Sequence, residues 1–101
     1  MFIVSITYTA ALEKIDQLVP AHIEFLDEQY RLGHFQLSGR KVPRTGGFIL
    51  ATIDSRSRLE EILAQDPFRR ESLAEYEITE VVPTRSSRAL AFLIEGNGQA
   101  R

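Results

Sequence analysis

Segments with the residue preferences of strands alternate along this chain with segments that have the spacing of helices. Stretches rich in β-branched and aromatic side chains, typical of strands, occur at 2–9, 34–39, 48–53 and 76–82. Apolar residues at spacings of three and four, which share one helix face, occur at 12–30 and 59–63. The order βαββαβ predicts a ferredoxin-like α+β fold, with both helices on one face of an antiparallel four-stranded sheet.

Glycine, proline and capping residues predict where these elements begin and end. Gly33 is placed to end the first helix, and Asp54 or Ser55 to begin the second. Pro20 lies inside the first helical pattern, where it either kinks the helix or occupies the first turn of its main segment. The stretch 40–47 has the composition of a turn and carries three positive charges.

The predicted strands carry apolar side chains on both faces, as in Ile3–Val4, Ile49–Leu50 and Val81–Val82. A sheet with one face in water alternates more cleanly between apolar and polar residues. Because a large apolar patch seldom stays exposed, the second face is expected to be covered by the same face of a second copy. The sequence therefore predicts a homodimer joined through the open sheet face.

The composition of the chain narrows the classes of protein to which it can belong. The net charge of −2 gives no electrostatic case for binding nucleic acid or an anionic membrane surface. Cysteine is absent, which excludes disulfides, thiolate metal sites and a cysteine nucleophile, and suits a reducing compartment. No apolar run approaches the ~20 residues of a membrane span. We therefore expect a cytoplasmic protein that binds neither nucleic acid nor membrane.

A length of 101 residues suits one domain, which is expected to span 1–83. The remaining residues, 84–101, are expected to form a C-terminal tail. Helical spacing returns briefly at 89–94, after which Gly-Asn-Gly at 96–98 predicts a frayed end.

The predicted topology brings a histidine, a carboxylate and a cationic turn to one edge of the sheet. This edge collects the start of the first helix, the turn between strands two and three, and the end of the second helix. His22 lies toward the start of the first helix if Pro20 opens its main segment. Asp66 precedes Pro67 and is expected to end the second helix. The turn contributes Arg40, Lys41 and Arg44. A histidine beside a carboxylate and a cationic rim suits acid–base chemistry on an anion.

Each of these residues also has a purely structural interpretation. A histidine on an apolar helix face, such as His22, is commonly a hydrogen-bonded core residue, and Asp66 before a proline is a common turn residue. The cationic side chains equally suit a solvated hairpin tip. The two histidines lack metal-ligand spacing, and Gly46–Gly47 fits a tight turn better than a phosphate-binding motif. We therefore expect neither a metal nor a cofactor.

Four short pieces of the sequence, in this order and spacing, resemble the YCII-related (YciI-like) family: Pro-Ala-His-Ile-Glu-Phe-Leu (20–26), Gly-His-Phe-Gln-Leu-Ser-Gly (33–39), Gly-Gly-Phe-Ile-Leu (46–50) and Asp-Pro-Phe (66–68). The resemblance implies a ferredoxin-like fold that forms a dimeric α+β barrel. It also implies a histidine and an aspartate paired in a pocket, at positions that match His22 and Asp66. Many members follow the glycine of strand two with proline, whereas Gly39 is followed by Arg40 and Lys41, which makes the pocket mouth more cationic.

Together, the residues and the resemblance predict a small cofactor-free enzyme of the lyase or isomerase type, acting on a small anionic or aromatic metabolite. His22 is expected to act as general base or acid, while Asp66 orients its ring. An anionic oxygen of the ligand is expected to be held by one hydroxyl and three cations, namely Ser38, Arg40, Lys41 and Arg44. Two alternatives remain open: a non-catalytic ligand-binding or regulatory dimer that uses the same pocket, and a purely structural dimer module.

Overall fold

The computed structural model describes residues 1–95 and contains one antiparallel sheet with helices on one side. The strands are β1 (Phe2–Tyr8), β2 (Phe35–Arg40), β3 (Gly46–Ala51) and β4 (Ala74–Glu80). Their order across the sheet is β2-β3-β1-β4. The helices are α1 (Leu12–Arg31), α2 (Arg56–Leu63), α3 (Pro67–Arg70) and α4 (Ala91–Glu95). This is the predicted ferredoxin-like α+β fold, with the short α3 added before β4.

Strand alternation separates an inner sheet face, which packs on the helices, from an outer face. On β1 the side chains of Phe2, Val4 and Ile6 are buried, whereas Ile3 is exposed. Val4 lies opposite Ile49 of β3, so that the buried side chains of neighbouring strands meet on the same face. The helices complete the core with six buried side chains: Ile15, Phe25, Leu59, Ile62, Leu63 and Phe68.

Helix α1 is continuous and contains Pro20 in its interior. The proline therefore does not open a separate segment, and His22 lies in the middle of α1 rather than toward a helix start. Tertiary packing accounts for this, because buried Ile15 and Phe25 hold the two sides of Pro20 against the core despite the hydrogen bond that a proline removes. The helix ends as predicted before Gly33, whose φ of +79° suits a residue without a Cβ atom.

The hairpin between β2 and β3 is shorter than the sequence suggested. Arg40 is the last residue of β2 and pairs with Gly47, so the connecting loop is confined to 41–45. Gly46 and Gly47 belong to β3 and not to the turn. Glycine is needed at both positions because the backbones of the neighbouring strands come too close for a Cβ atom. A Cβ atom on Gly46 would overlap the carbonyl oxygen of Ile6, and one on Gly47 would lie 2.7 Å from the Gly39 oxygen.

The connection after α2 differs from prediction in the role of Asp66. Ser55 caps α2 as expected, since its hydroxyl accepts from the Arg58 amide at 3.1 Å. However, α2 already ends at Leu63, and Asp66 is the N-cap of α3. Pro67 occupies the first turn of α3, where its missing N–H leaves no hydrogen bond unmade.

Beyond β4 the chain forms a 3-10 turn at Arg88–Leu90 and then α4. This agrees with the helical spacing predicted for 89–94, while the Gly-Asn-Gly stretch lies outside the described residues. Within residues 1–95, no helix is both long enough and apolar enough to cross a membrane.

Candidate active site

A cavity of about 250 Å³ opens between α1 and the inner face of the sheet. Apolar side chains form much of its wall, among them Ile6, Ile49, Val19, Leu26 and Phe68. Its polar side chains are Tyr8, His22, Ser38, Arg40 and Arg44. An apolar body with a few polar groups is the usual composition of a small-molecule site.

His22 of α1 and Asp66 before α3 meet at this cavity. The Nδ1 atom of His22 lies 2.9 Å from Oδ1 of Asp66. The His22 side chain is 16% exposed, whereas the Asp66 carboxylate is fully buried behind it. Oδ1 also accepts from the Phe68 amide at 3.1 Å, and Oδ2 accepts from the Tyr76 hydroxyl at 2.5 Å. These three donors compensate the carboxylate for the loss of water.

The contact with Asp66 determines which nitrogen of His22 is available to a ligand. A carboxylate only accepts hydrogen bonds, so in the neutral imidazole the nitrogen that faces it, Nδ1, is the one with the proton, and Nε2 is the one with the lone pair. The Phe68 ring stacks on the imidazole, with centroids 4.2 Å apart and planes 17° apart. Phe68 therefore fixes the plane of the ring, while Asp66 fixes its rotation within that plane.

Tyr76 is a member of the site that the sequence analysis missed. It lies on the inner face of β4, and the Arg69 guanidinium sits 5.2 Å from the centre of its ring. Burial, followed by the nearby Asp66 charge, raises the pKa of Tyr76 well above its usual range, so the phenol remains a donor to the carboxylate. The alternation of β4, in which Tyr76 shares a face with Ala74 and Ile78, was the available signal.

The structure brings two of the three predicted cations to the cavity and turns the third away. Arg40 and Arg44 both line the cavity. Lys41 does not, because strand alternation sends its side chain to the outer face, where Nζ donates to Thr7 Oγ1 at 3.2 Å. Arg44 donates to the Asp16 carboxylate of α1, and this hydrogen bond raises the pKa of Arg44. Among the described residues, Arg40 forms no ion pair.

Ser38 also lines the cavity, from the inner face of β2. Its hydroxyl lies 2.5 Å from the hydroxyl of Tyr30, a residue two turns beyond His22 on α1. This contact ties α1 to the edge strand and fixes the Ser38 hydroxyl beside Arg40. An anionic oxygen placed against Arg40 would therefore have a second polar group nearby.

The second histidine has a separate, structural environment. His34 Nδ1 lies 2.7 Å from Gln29 Oε1, and its backbone amide donates to the Gln29 carbonyl at 2.9 Å. These contacts close the C-terminal end of α1, away from the cavity lining. Within residues 1–95 there is no group of three or more histidine, aspartate or glutamate side chains that could hold a metal ion.

The fold and this cavity define a ferredoxin-like α+β domain in which a cavity-lining histidine is paired with a buried aspartate. The chain belongs to the YCII-related domain family, whose sequence model matches residues 1–82. No curated protein matches the chain.

Among solved structures, the chain is similar to the 5-chloro-2-hydroxyhydroquinone dehydrochlorinase TftG from Burkholderia phenoliruptrix AC1100, in complex with 2,5-dihydroxybenzoquinone. The TM-score is 0.68 at 16% sequence identity, and the match covers 80% of this chain and 93% of that chain. At this level of identity, the likeness establishes a shared fold.

Proposed function

We propose that this protein is a small enzyme of the lyase or isomerase type that moves a proton on a small anionic or aromatic metabolite without a cofactor. The observation that carries the proposal is the 2.9 Å contact between His22 Nδ1 and the buried Asp66 carboxylate, at the wall of a cavity. A buried carboxylate that orients a histidine at a ligand-sized cavity is an arrangement suited to general acid–base catalysis.

In this mechanism His22 Nε2 accepts a proton from the ligand and later returns it to another atom. Asp66 holds the ring in the correct tautomer and stabilises the imidazolium that forms. Proton transfer by a positioned side chain contributes a rate factor of about 10²–10⁴. Arg40 pairs with the oxygen on which negative charge develops, and Ser38 supplies a further hydrogen bond.

The size of the cavity supports a ligand with one ring. A cavity of about 150 Å³ holds a benzene molecule. The volume of about 250 Å³ therefore suits a single ring with a few oxygen substituents. The dihydroxybenzoquinone bound to TftG is a compound of this size.

We also propose that the protein acts as a homodimer joined through the outer sheet face. Support comes from an apolar strip across three strands, in which Leu50 lies opposite both Ile3 and Leu37. Ile3 is 41% exposed and Leu37 54% exposed in a single chain. The same face of a second copy would cover this strip, in keeping with the dimeric α+β barrel that the family resemblance implies.

The proposal is tested by incubating the protein with 5-chloro-2-hydroxyhydroquinone and measuring chloride release. In parallel, exchange of ring hydrogens for deuterium is followed by NMR in 2-hydroxy-1,4-benzoquinone, the ring that remains when that compound loses HCl and one that carries a single acidic hydroxyl. We expect the protein to catalyse at least one of these reactions. The variants His22→Gln and Asp66→Asn should react at least about 100-fold more slowly, which is the lower end of the range for acid–base catalysis.

The matched control is His34→Gln, which removes the other histidine of the chain but leaves the cavity lining intact. Its rate should equal that of the wild type. If 2-hydroxy-1,4-benzoquinone binds but neither reaction is accelerated, the non-catalytic ligand-binding module becomes the better interpretation. A rate that survives in His22→Gln would exclude the proposed role of the histidine.

A further inference from the structure

The two arginines of the cavity are not electrostatically equivalent. Arg44 is held by the Asp16 carboxylate, which belongs to α1 and lies at the rim. Arg40, at the end of β2, has no carboxylate partner among the described residues. Lys41 contacts Thr7 on the opposite face of the sheet. Of the three predicted cations, Arg40 is therefore the one that lines the cavity without a carboxylate partner in the described part of the chain.

The two carboxylates near the cavity, Asp66 and Asp16, are both engaged with other groups, and neither pairs with Arg40. Asp66 is fully buried behind His22, and its oxygens already accept from the imidazole, a backbone amide and the Tyr76 hydroxyl. Asp16 is 57% exposed and is directed at Arg44. A second anionic group on a ligand would therefore meet only Arg44, whose charge Asp16 already compensates, in a mostly apolar space where an unpaired charge is costly.

We propose that the cavity selects a planar ring with a single negative charge over neutral and doubly charged rings of the same size, and that Asp16 sets this preference by occupying Arg44. The inference rests on the proposed function in that both use the same cavity. It goes further because it assigns the charge of the ligand and names Asp16 as the residue that sets the preference for that charge. The matching group on the ligand is a carboxylate, enolate or phenolate, which the planar Arg40 guanidinium pairs with well.

The test uses three probes that share one ring: phenol as the neutral probe, benzoate as the monoanion and phthalate as the dianion. Dissociation constants are measured by NMR titration at low ionic strength, where the charges are least screened. We expect benzoate to bind about tenfold or more tightly than either other probe, the lower range for a hydrogen bond to a charged group. Arg40→Gln should reduce benzoate affinity to that of phenol.

The decisive variant is Asp16→Asn, which frees the Arg44 guanidinium. Phthalate affinity should then rise about tenfold, while benzoate affinity changes by less than about threefold. Asp27→Asn is the matched control, because it removes one negative charge from an exposed position of the same helix that does not pair with Arg44. Its affinities for the probes should equal those of the wild type.

Several results would overturn the inference. One is equal binding of benzoate and phthalate to the wild type, and another is an Asp16→Asn effect no larger than that of Asp27→Asn. Failure of benzoate to bind at millimolar concentration would also refute it. None of these results depends on turnover, so a charge preference without catalysis would contradict only the proposed function. Conversely, His22-dependent catalysis without a charge preference would contradict only this inference.

Discussion

The hydrogen bond from Tyr76 to Asp66 predicts a stability contribution that depends on pH. The phenol donates to Oδ2 at 2.5 Å, and the acceptor is a fully buried carboxylate. Hydrogen bonds to charged groups contribute about 1.5–3 kcal/mol. The Tyr76→Phe variant keeps the ring and its packing against Arg69 but removes the donor. We therefore expect it to lose about 2 kcal/mol of the free energy of unfolding at pH 7.

The same bond predicts that the difference in stability between wild type and Tyr76→Phe disappears in alkali. Burial and the Asp66 charge raise the pKa of Tyr76, so the phenol stays protonated in the folded protein, while in the unfolded chain it ionises near pH ~10. Above that pH the folded state binds more protons than the unfolded state. Wild-type stability then falls by up to about 1.4 kcal/mol per pH unit, and this fall is absent from the variant. A gap of about 2 kcal/mol should therefore close near pH ~11.5.

The assay is urea unfolding followed by circular dichroism, at one protein concentration, from about pH 7 to about pH 11.5. The ionisation of side chains common to wild type and variant cancels in the difference between their free energies of unfolding. The control is Tyr30→Phe, which removes a phenol bonded to a neutral hydroxyl and should cost about 0.5–1.5 kcal/mol at pH 7. Parallel stability curves for wild type and Tyr76→Phe would refute the reasoning, because they would mean that the phenol ionises equally in both states.

Three further predictions concern the carboxylate, the sheet and the outer face. Asp66→Ala should cost about 3–5 kcal/mol, because it removes a helix cap and leaves buried donors unpaired; a thermal midpoint above that of Tyr76→Phe would contradict this. Gly46→Ala should cost about 3 kcal/mol or more in urea unfolding, since the added Cβ atom meets a backbone carbonyl that cannot easily move. Light scattering should give twice the mass of the 11.5 kDa chain, and Leu37→Glu should shift the mass toward the monomer. A wild-type monomer at micromolar concentration would exclude the dimer.

The order of the elements could be predicted because the core has a regular pattern. The inner residues of β1 and the stripe of Leu59, Ile62 and Leu63 are buried as their spacing indicates. The wrong assignments arose where one signal fits two structures. Asp66 followed by Pro67 suits the end of a helix, but an aspartate N-cap with proline in the first turn gives the same pair of residues. Only the tertiary position of α3 decides between them.

The site was partly predictable for a related reason. Topology indicated that His22 and Asp66 would approach each other, although it placed His22 at the start of the helix. Helix α1 has 20 residues and is about 30 Å long, whereas β1 has 7 residues and is about 23 Å long. The middle of the helix therefore lies over the sheet. Lys41 was expected at the cavity because the sequence analysis placed Arg40 and Lys41 in one turn. In the structure the strand continues through Arg40, so the consecutive side chains of Arg40 and Lys41 lie on opposite faces of the sheet.

The segment Asp66–Phe68 joins the stability of the fold to the chemistry of the site. Oδ1 of Asp66 accepts both from the Phe68 amide, as the cap of α3, and from Nδ1 of His22. The Phe68 ring then stacks on the imidazole that Asp66 orients. One short helix start thus sets both the rotation and the plane of the histidine ring. A substitution that loosens α3 should therefore disturb His22 even where it leaves the pair itself intact, because the carboxylate cannot move from the cap without moving from the imidazole.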